Sequence, residues 1–231
     1  MRQAADGYAP VMPTDKRKVA ACKRRFKTFY PGGFQDEDYI ALERQYKWDA
    51  HRAWTELVAE KPLAARLRDG DYEEFARAVV RIESRTNLLF SFEKMAVRDA
   101  VSTPDGAKAF VAGLADWFDG PGGDAARFER WCDAVDTLPR RQTRVRTWPV
   151  VTVFGFIARP RTHIFLKPTV TKRAAEAFGF EFDYRSRPQW DTYASLLSFA
   201  RAVRAEVADW KPRDMIDIQS FIWVLGSAEY D

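Results

Sequence analysis

The chain contains few of the residue types that carry most enzyme and metal chemistry. Its 231 residues include two cysteines, Cys22 and Cys132, and two histidines, His51 and His163. Because both thiols fall within helical patterns and no ligand pair stands at short spacing, the sequence predicts neither a disulfide framework nor a standard zinc site. No GxxxxGK[ST], GxGxxG or GxSxG motif is present either. We therefore predict no cofactor, no metal ion and no catalytic residue.

Long apolar runs are also missing. No stretch approaches the roughly 20 apolar residues that a membrane-spanning helix needs, and the first 13 residues lack the apolar core of a signal peptide. With so few cysteines, these absences indicate a reducing, intracellular setting. We predict a cytoplasmic protein that has no membrane partner and folds as one domain or two small ones.

Acidic residues are missing from two strongly basic stretches, although the net charge of the whole chain is only +4. Residues 16–27 contain seven Lys or Arg, and residues 137–175 contain nine, of which seven are Arg. Such clustering indicates an anionic partner. The arginines favour phosphate, because a guanidinium donates two parallel hydrogen bonds. The alternative is that both stretches are solvated surfaces whose charges are balanced by acidic parts of the fold.

The second basic stretch overlaps the pattern most typical of β-strands. β-Branched and aromatic residues, which strands prefer, dominate Trp148–Ile157, and two shorter segments at His163–Leu166 and Phe180–Tyr184 follow. We predict a mainly α fold with a small β-ribbon or sheet (α+β), with about nine helices and two or three short strands. The strand aromatics either pack in the core or stack on the bases of single-stranded nucleic acid.

The remainder of the chain has helical periodicity and helix-capping residues. In residues 36–61, apolar residues at three- and four-residue steps predict one buried face: Tyr39, Leu42, Tyr46, Ala50, Trp54 and Leu57. Four residues stand where helix N-caps are expected: Thr14, Thr86, Thr103 and Asp214. We divide the chain into three parts of one compact unit: a flexible tail (1–13), a helical part (14–139), and a small β-element with C-terminal helices (140–231).

Four stretches together resemble a family of uncharacterised bacterial proteins. They read FYPGGFQDEDYIALERQYKWDA, RTNLLFSFEKMA, TWPVVTVFGFIARPRTHIFLKP and PRDMIDIQSFIWV, and the likeness extends from about Phe26 to Leu225. The family has no assigned activity. The resemblance therefore implies a bacterial, cytoplasmic protein and transfers no catalytic residue.

These patterns predict a non-enzymatic protein that associates with DNA or RNA by contacting phosphates. We expect the contacts to come from the cationic residues of both basic stretches: Arg140, Arg141, Arg144, Arg146, Arg159, Arg161, Lys167, Lys16, Arg17, Lys18, Lys23, Arg24 and Arg25. One alternative is an adaptor that binds an acidic protein partner. Another is a magnesium-dependent enzyme acting on nucleic acid, with Glu181, Asp183 and either Lys167 or His163 at its site.

Overall fold

The structure of the protein is a computed structural model that describes residues 15–141 and 144–231. These residues form eleven α-helices and no β-strand, so the predicted α+β fold with about nine helices is wrong. The helices are α1 (Lys16–Phe29), α2 (Glu37–Tyr39, Ile40–Arg44 and Gln45–Glu60 in succession), α3 (Leu63–Asp69), α4 (Tyr72–Ser84), α5 (Ser91–Ala100), α6 (Pro104–Asp119), α7 (Asp124–Thr137), α8 (Trp148–Ala158), α9 (Pro168–Phe178), α10 (Trp190–Glu206) and α11 (Met215–Gly226). Short 3₁₀ turns lie at Gly33–Gln35, Ala208–Trp210 and Ala228–Tyr230.

The segment predicted as the first strand is the central helix, α8. All of its residues are buried, and it packs against α2, α4, α5 and α7. A helix that is apolar on every side has no 3.6-residue periodicity, so β-branched residues such as Val150 and Val151 wrongly favoured a strand. Pro149 lies in the first turn of α8, where proline is tolerated. The core therefore surrounds a helix.

The other two predicted strands are extended segments without a neighbouring strand. Their amide groups donate to side-chain hydroxyls of nearby helices. The Leu166 amide donates to Thr152 Oγ1 (3.0 Å), and the Asp183 amide donates to Ser195 Oγ (3.1 Å). These hydroxyls satisfy donors that a β-ladder would otherwise use.

Helix α2 changes its buried face at a π-helical turn, Ile40–Arg44. A π turn holds more residues than an α turn, so the residues beyond it are rotated about the helix axis. Leu42, which belongs to the predicted apolar face, is 63% exposed, whereas Arg44, at the end of the π turn, is 7% exposed. Trp54, further along the predicted face, is buried as expected.

Two predicted N-caps are confirmed and one is wrong. Thr103 Oγ1 accepts a hydrogen bond from the Gly106 amide (3.1 Å), and the Asp214 carboxylate accepts one from the Ile216 amide (2.9 Å). Thr86 does not cap a helix, because it lies in the turn that precedes α5. Short polar side chains thus mark helix starts only where the next residues continue the helix.

Helix α1 begins after Asp15, whose carboxylate accepts a hydrogen bond from the Arg17 amide (2.9 Å). The helix packs against α9 and α11 through one buried stripe: Val19, Cys22 and Phe26. The predicted cap Thr14 and the predicted tail at 1–13 lie outside the described residues.

One cluster of buried apolar side chains extends from α1 to α11 and draws on both predicted parts of the chain. The aromatic residues considered for base stacking belong to this core and are at most 3% exposed: Trp148, Phe154, Phe156 and Phe165. They are therefore packing residues. In the described part of the chain, no helix is both long and apolar enough to cross a membrane.

Candidate anion-binding site

The basic residues predicted to bind nucleic acid do not form one continuous cationic patch. Arg146 is buried and contacts the carboxylates of Asp133 (3.2 Å) and Asp136 (3.3 Å). Arg159 contacts Asp119 (2.6 Å). Because carboxylates inside the fold pair with these two arginines, the prediction of one basic patch is wrong.

Lys167 is unavailable to an external phosphate. It is 8% exposed, and its Nζ donates to the Leu88 carbonyl (3.2 Å) and to Glu93 (3.4 Å). Burial lowers the pKa of Lys167, and the neighbouring Glu93 carboxylate opposes that shift. The Lys167 ammonium therefore interacts with groups inside the protein.

Two cations of α1 hold that helix against the rest of the fold. Lys23 contacts Asp209 (2.9 Å), and Arg25 contacts Asp231 (2.7 Å) near the C-terminus. The other predicted residues of α1 are exposed: Lys16, Arg17, Lys18 and Arg24. For these four, contact with a phosphate stays a prediction.

The central arginines line two cavities instead of one surface. The first, which we call the linker cavity, has a volume of about 640 Å³ and lies where the chain passes from α7 to α8. Four arginines line it: Arg140, Arg144, Arg146 and Arg187. Asp136 lines the same cavity and lies within 4 Å of both Arg146 and Arg187. Arg141 is exposed beside Arg140 in the chain and does not line the cavity.

The second cavity, which we call the aromatic cavity, has a volume of about 450 Å³. It lies between α6, α7, α10, the start of α11 and the α8–α9 connection. Its lining combines four arginines with three aromatic rings: Arg127, Arg159, Arg161, Arg201, Trp117, Trp190 and Tyr193. The sequence predicted that Arg159 and Arg161 contact phosphates. It gave no such prediction for Arg127 and Arg201, because they lie on helices outside both basic stretches.

The charges around the aromatic cavity are only partly balanced. Arg127 forms an ion pair with Asp124, and Arg159 forms one with Asp119. Arg161 is exposed, and no described carboxylate lies within ion-pair distance of it. Arg161 therefore adds a positive charge to the cavity that no described carboxylate balances at ion-pair distance. Positive charge in a partly enclosed space attracts anions more strongly than the same charge on an open surface.

His163 lies in the wall of the aromatic cavity as a neutral ring. It packs edge to face on Trp117, with ring centroids 5.1 Å apart, and its Nδ1 is 2.8 Å from Thr162 Oγ1. Burial, reinforced by the Arg159 guanidinium, lowers the pKa of His163 to about 4. The positive charge of the cavity at neutral pH therefore comes from its arginines.

Gly155 of α8 allows the close packing behind the aromatic cavity. A methyl group at this position would clash with the Trp117 ring and would lie 2.8 Å from His163 Cδ2. Both rings line the cavity. The absence of a side chain at Gly155 therefore sets the position of two wall residues.

The residues proposed for a magnesium enzyme do not come together. Lys167 is buried beside Glu93, whereas Glu181 and Asp183 are exposed on the segment that precedes α10. Asp183 lies 3.6 Å from Arg185. Within residues 15–141 and 144–231, no group of three His, Cys, Asp or Glu side chains is placed to hold a metal ion.

A buried ion cluster that the sequence did not predict lies between α2 and α11. Arg44 donates two parallel hydrogen bonds to Asp214 (both 2.8 Å) and another to Asp217 (2.9 Å). Asp217 also accepts hydrogen bonds from the Tyr39 hydroxyl (2.6 Å) and from Arg213. Burial alone would raise the pKa of Asp217, but the hydrogen bonds from Arg213 and Tyr39 outweigh it and lower that pKa. We call this group the Arg44 cluster.

A second buried pair extends the polar contacts towards the C-terminus. Lys47 Nζ lies 3.0 Å from Glu43 and donates to Ser220 Oγ (2.9 Å). The Tyr230 hydroxyl donates to Glu43 (2.6 Å) and lies 2.6 Å from the Tyr30 hydroxyl. The i,i+4 spacing of Glu43 and Lys47 was visible in the sequence, but the burial of both charges was not.

No family model, curated protein or solved structure matches this chain. The resemblance to a bacterial family, the bacterial origin and the cytoplasmic location therefore stay predictions. The function is inferred from the geometry of the cavities themselves.

Proposed function

We propose that the protein binds a ligand that joins a phosphate group to an aromatic ring, and that it does so in the aromatic cavity. The observation that carries this proposal is the convergence of four arginines from α7, α10 and the α8–α9 connection on one cavity. Guanidinium groups donate paired hydrogen bonds to phosphate oxygens. A volume of about 450 Å³ is also within the range of small-molecule sites.

The aromatic walls supply the second half of the recognition. Trp190 is half-buried and is held by Phe128, with ring centroids 5.9 Å apart. Its accessible surface offers a place for a planar ring to stack. A nucleotide has both required groups. It can reach the cavity as a free nucleotide or as part of single-stranded DNA or RNA, in which stacking on aromatic side chains is common.

A titration followed by tryptophan fluorescence tests the proposal, because Trp117 and Trp190 line the cavity. The probes are adenosine 5′-monophosphate, adenosine, inorganic phosphate and a short single-stranded oligonucleotide. We expect the monophosphate to bind more tightly than adenosine or phosphate alone, and to bind more weakly at high salt. A higher affinity for the oligonucleotide than for the monophosphate identifies nucleic acid as the source of the nucleotide.

The variant Arg161→Ala tests the site itself. A hydrogen bond to a charged group contributes about 1.5 to 3 kcal/mol, so we expect at least roughly tenfold weaker binding of the monophosphate. Lys172→Ala on α9 is the matched control, because Lys172 is exposed and does not line the cavity. Equal affinity of the two variants, or no fluorescence response to any probe, contradicts the proposal.

A further inference from the structure

Helices α4 and α5 follow each other in the chain, contact each other and together line a groove of about 690 Å³. The lining residues recur at i, i+3, i+4 and i+7 on each helix: 77, 80, 81 and 84 on α4, and 91, 94, 95 and 98 on α5. The end of α4 lies beside the start of α5, since Lys94 Nζ donates to the Ser84 carbonyl (3.1 Å). Seven residues rise by about 10 Å, so the groove has the length of two helical turns.

The groove combines an apolar floor with a cationic rim. Three aliphatic side chains form the floor: Val80, Met95 and Val101. Four basic residues form the rim: Arg77, Arg81, Lys94 and Arg98. None of the residues lining the groove is acidic. Glu73, which lies outside the groove, contacts Arg77 (2.8 Å), and Lys94 Nζ donates to the backbone carbonyls of Ser84 and Thr86. Arg81 and Arg98 therefore provide most of the unbalanced charge.

Two exposed phenylalanines neighbour a groove residue in the chain. Phe90 and Phe92 precede and follow Ser91, which lines the groove, and they are 55% and 49% exposed. Their ring centroids are 5.8 Å apart, so they form one aromatic pair. Large apolar side chains exposed beside a groove extend the apolar surface that a partner can bury.

We propose that this groove binds an amphipathic helix of a partner protein whose apolar stripe is flanked by Asp and Glu. Parallel rows at i, i+3, i+4 and i+7 match the anchor spacing of a helix that lies in a groove. The apolar floor receives the stripe, and the cationic rim selects acidic flanks. This surface involves none of the residues of the aromatic cavity, so it adds a second binding activity to the proposed function.

Charge and shape favour this occupant over other anions. A nucleic acid backbone offers phosphates along its whole length and leaves an apolar floor of Val80, Met95 and Val101 without a matching group. An anionic lipid surface is flat, whereas the floor lies between two helices. An acidic amphipathic helix matches floor and rim together.

Binding of a designed peptide tests the proposal directly. The probe is a 16-residue helical peptide with Leu at i, i+3, i+4 and i+7 and Glu on both flanks. The comparison probes are a scrambled peptide of the same composition, a peptide with Lys in place of Glu, anionic lipid vesicles and a single-stranded oligonucleotide. Fluorescence anisotropy of the labelled probes measures affinity, and circular dichroism measures helix formation in the peptide.

The double variant Arg81→Glu/Arg98→Glu reverses the rim, and we expect it to weaken binding of the acidic peptide at least tenfold. Lys172→Glu/Arg173→Glu on α9 makes the same change in net charge away from the groove and is expected to bind like the wild type. Both variants change exposed residues, so matching thermal unfolding curves establish that each still folds. The proposal also predicts that the Lys peptide and the scrambled peptide bind at least tenfold more weakly than the acidic one.

Several results would overturn the proposal. They are equal binding of the scrambled and designed peptides, equal loss of binding in both double variants, and tighter binding of vesicles or oligonucleotide that the rim variant weakens. Absence of peptide binding at millimolar concentration would also overturn it. None of these results bears on the proposed nucleotide binding in the aromatic cavity, because the monophosphate titration probes a different site with a different readout.

Discussion

The Arg44 cluster and the aromatic cavity both gather arginines, but they differ in how completely the charges are balanced. In the Arg44 cluster, Arg44 and Arg213 face Asp214 and Asp217, and the hydrogen bonds among these groups are short and direct. In the aromatic cavity, which has a volume of about 450 Å³, Arg127 and Arg159 each pair with a carboxylate, whereas Arg161 has no described carboxylate at ion-pair distance. The Arg44 cluster therefore has no unbalanced charge for a ligand to contact, whereas the aromatic cavity has one at Arg161.

This difference separates structural arginines from arginines available to a ligand. A buried charge is tolerated only when it is paired and hydrogen-bonded, so the closed Arg44 cluster contributes to the stability of the fold. An exposed guanidinium such as that of Arg161 keeps its hydration and needs no internal partner. We therefore expect mutations in the two regions to act on different quantities, stability in one and binding in the other.

The largest expected effect comes from opening the Arg44 cluster with Arg44→Met. This change leaves two buried carboxylates, Asp214 and Asp217, without their main cation, and breaking a buried ion pair in this way costs about 3 to 5 kcal/mol. The measurement is the free energy of unfolding from urea titration. Arg52→Met is the matched control on the same helix, because Arg52 pairs with Asp49 in solvent, where such pairs contribute less than about 1 kcal/mol. Similar losses of unfolding free energy in both variants would show that the buried Arg44 cluster stabilises the fold no more than an exposed ion pair does.

The Arg44 cluster also shows what the sequence could not provide. A regular helical wheel places Leu42 on the predicted buried face and leaves Arg44 outside it. At the π turn Ile40–Arg44 the structure reverses these two positions, since Leu42 is exposed and Arg44 is buried. A single sequence gives no periodicity signal for such a turn, since it interrupts the 3.6-residue repeat for only a few residues. The cap at Asp214 was predictable because its cause is local.

The fold and the candidate site were predictable to different degrees. Most amphipathic helices were recognisable, but α8 was not, because an entirely buried helix shows composition without periodicity. For the site, the sequence identified Arg159 and Arg161 as part of an arginine-rich stretch. Arg127 and Arg201 join them only through the packing of α7 and α10. Convergence of residues distant in sequence requires the tertiary structure.

A second effect depends on pH and comes from His163 in the wall of the aromatic cavity. In the unfolded chain this histidine binds a proton near pH 6.5, whereas in the folded protein its pKa is about 4. Its contribution is therefore fully present above pH 6.5 and is lost as the pH falls towards 4. We expect the loss to reach about 2 to 3 kcal/mol in the free energy of unfolding.

The variant His163→Gln isolates this contribution, because it removes the titrating ring. We expect the difference in unfolding free energy between wild type and variant to change steadily between pH 6.5 and 4.5. The wild-type profile alone is less informative, since burial raises the pKa of Glu83 to about 6 and gives an opposite slope. A constant difference across this pH range would show that His163 is not held neutral by the fold.

A smaller effect is expected for Gly155→Ala, which places a methyl group against Trp117 and His163. Overpacking of a core typically costs about 1 to 3 kcal/mol. Unlike Arg44→Met, this change should also weaken binding of the monophosphate, because it displaces two walls of the aromatic cavity. The control is Gly123→Ala, because a methyl group at Gly123 meets nothing within 4 Å. Loss of stability without any change in binding would separate Gly155 from the site.

The smallest effect on stability is expected at Arg161, the arginine that differs most from Arg44 in its ion pairing. No described carboxylate pairs with its guanidinium, and its side chain is exposed, so Arg161→Ala should change the free energy of unfolding by less than about 0.5 kcal/mol. Arg159→Ala should cost about 1 kcal/mol, because Arg159 also donates to the Phe118 carbonyl (2.9 Å). Urea titration of both variants beside the monophosphate titration gives the two quantities together. Arg161 fits the role of a ligand-binding arginine only if its loss weakens binding while stability stays unchanged, which is the reverse of the behaviour expected for Arg44.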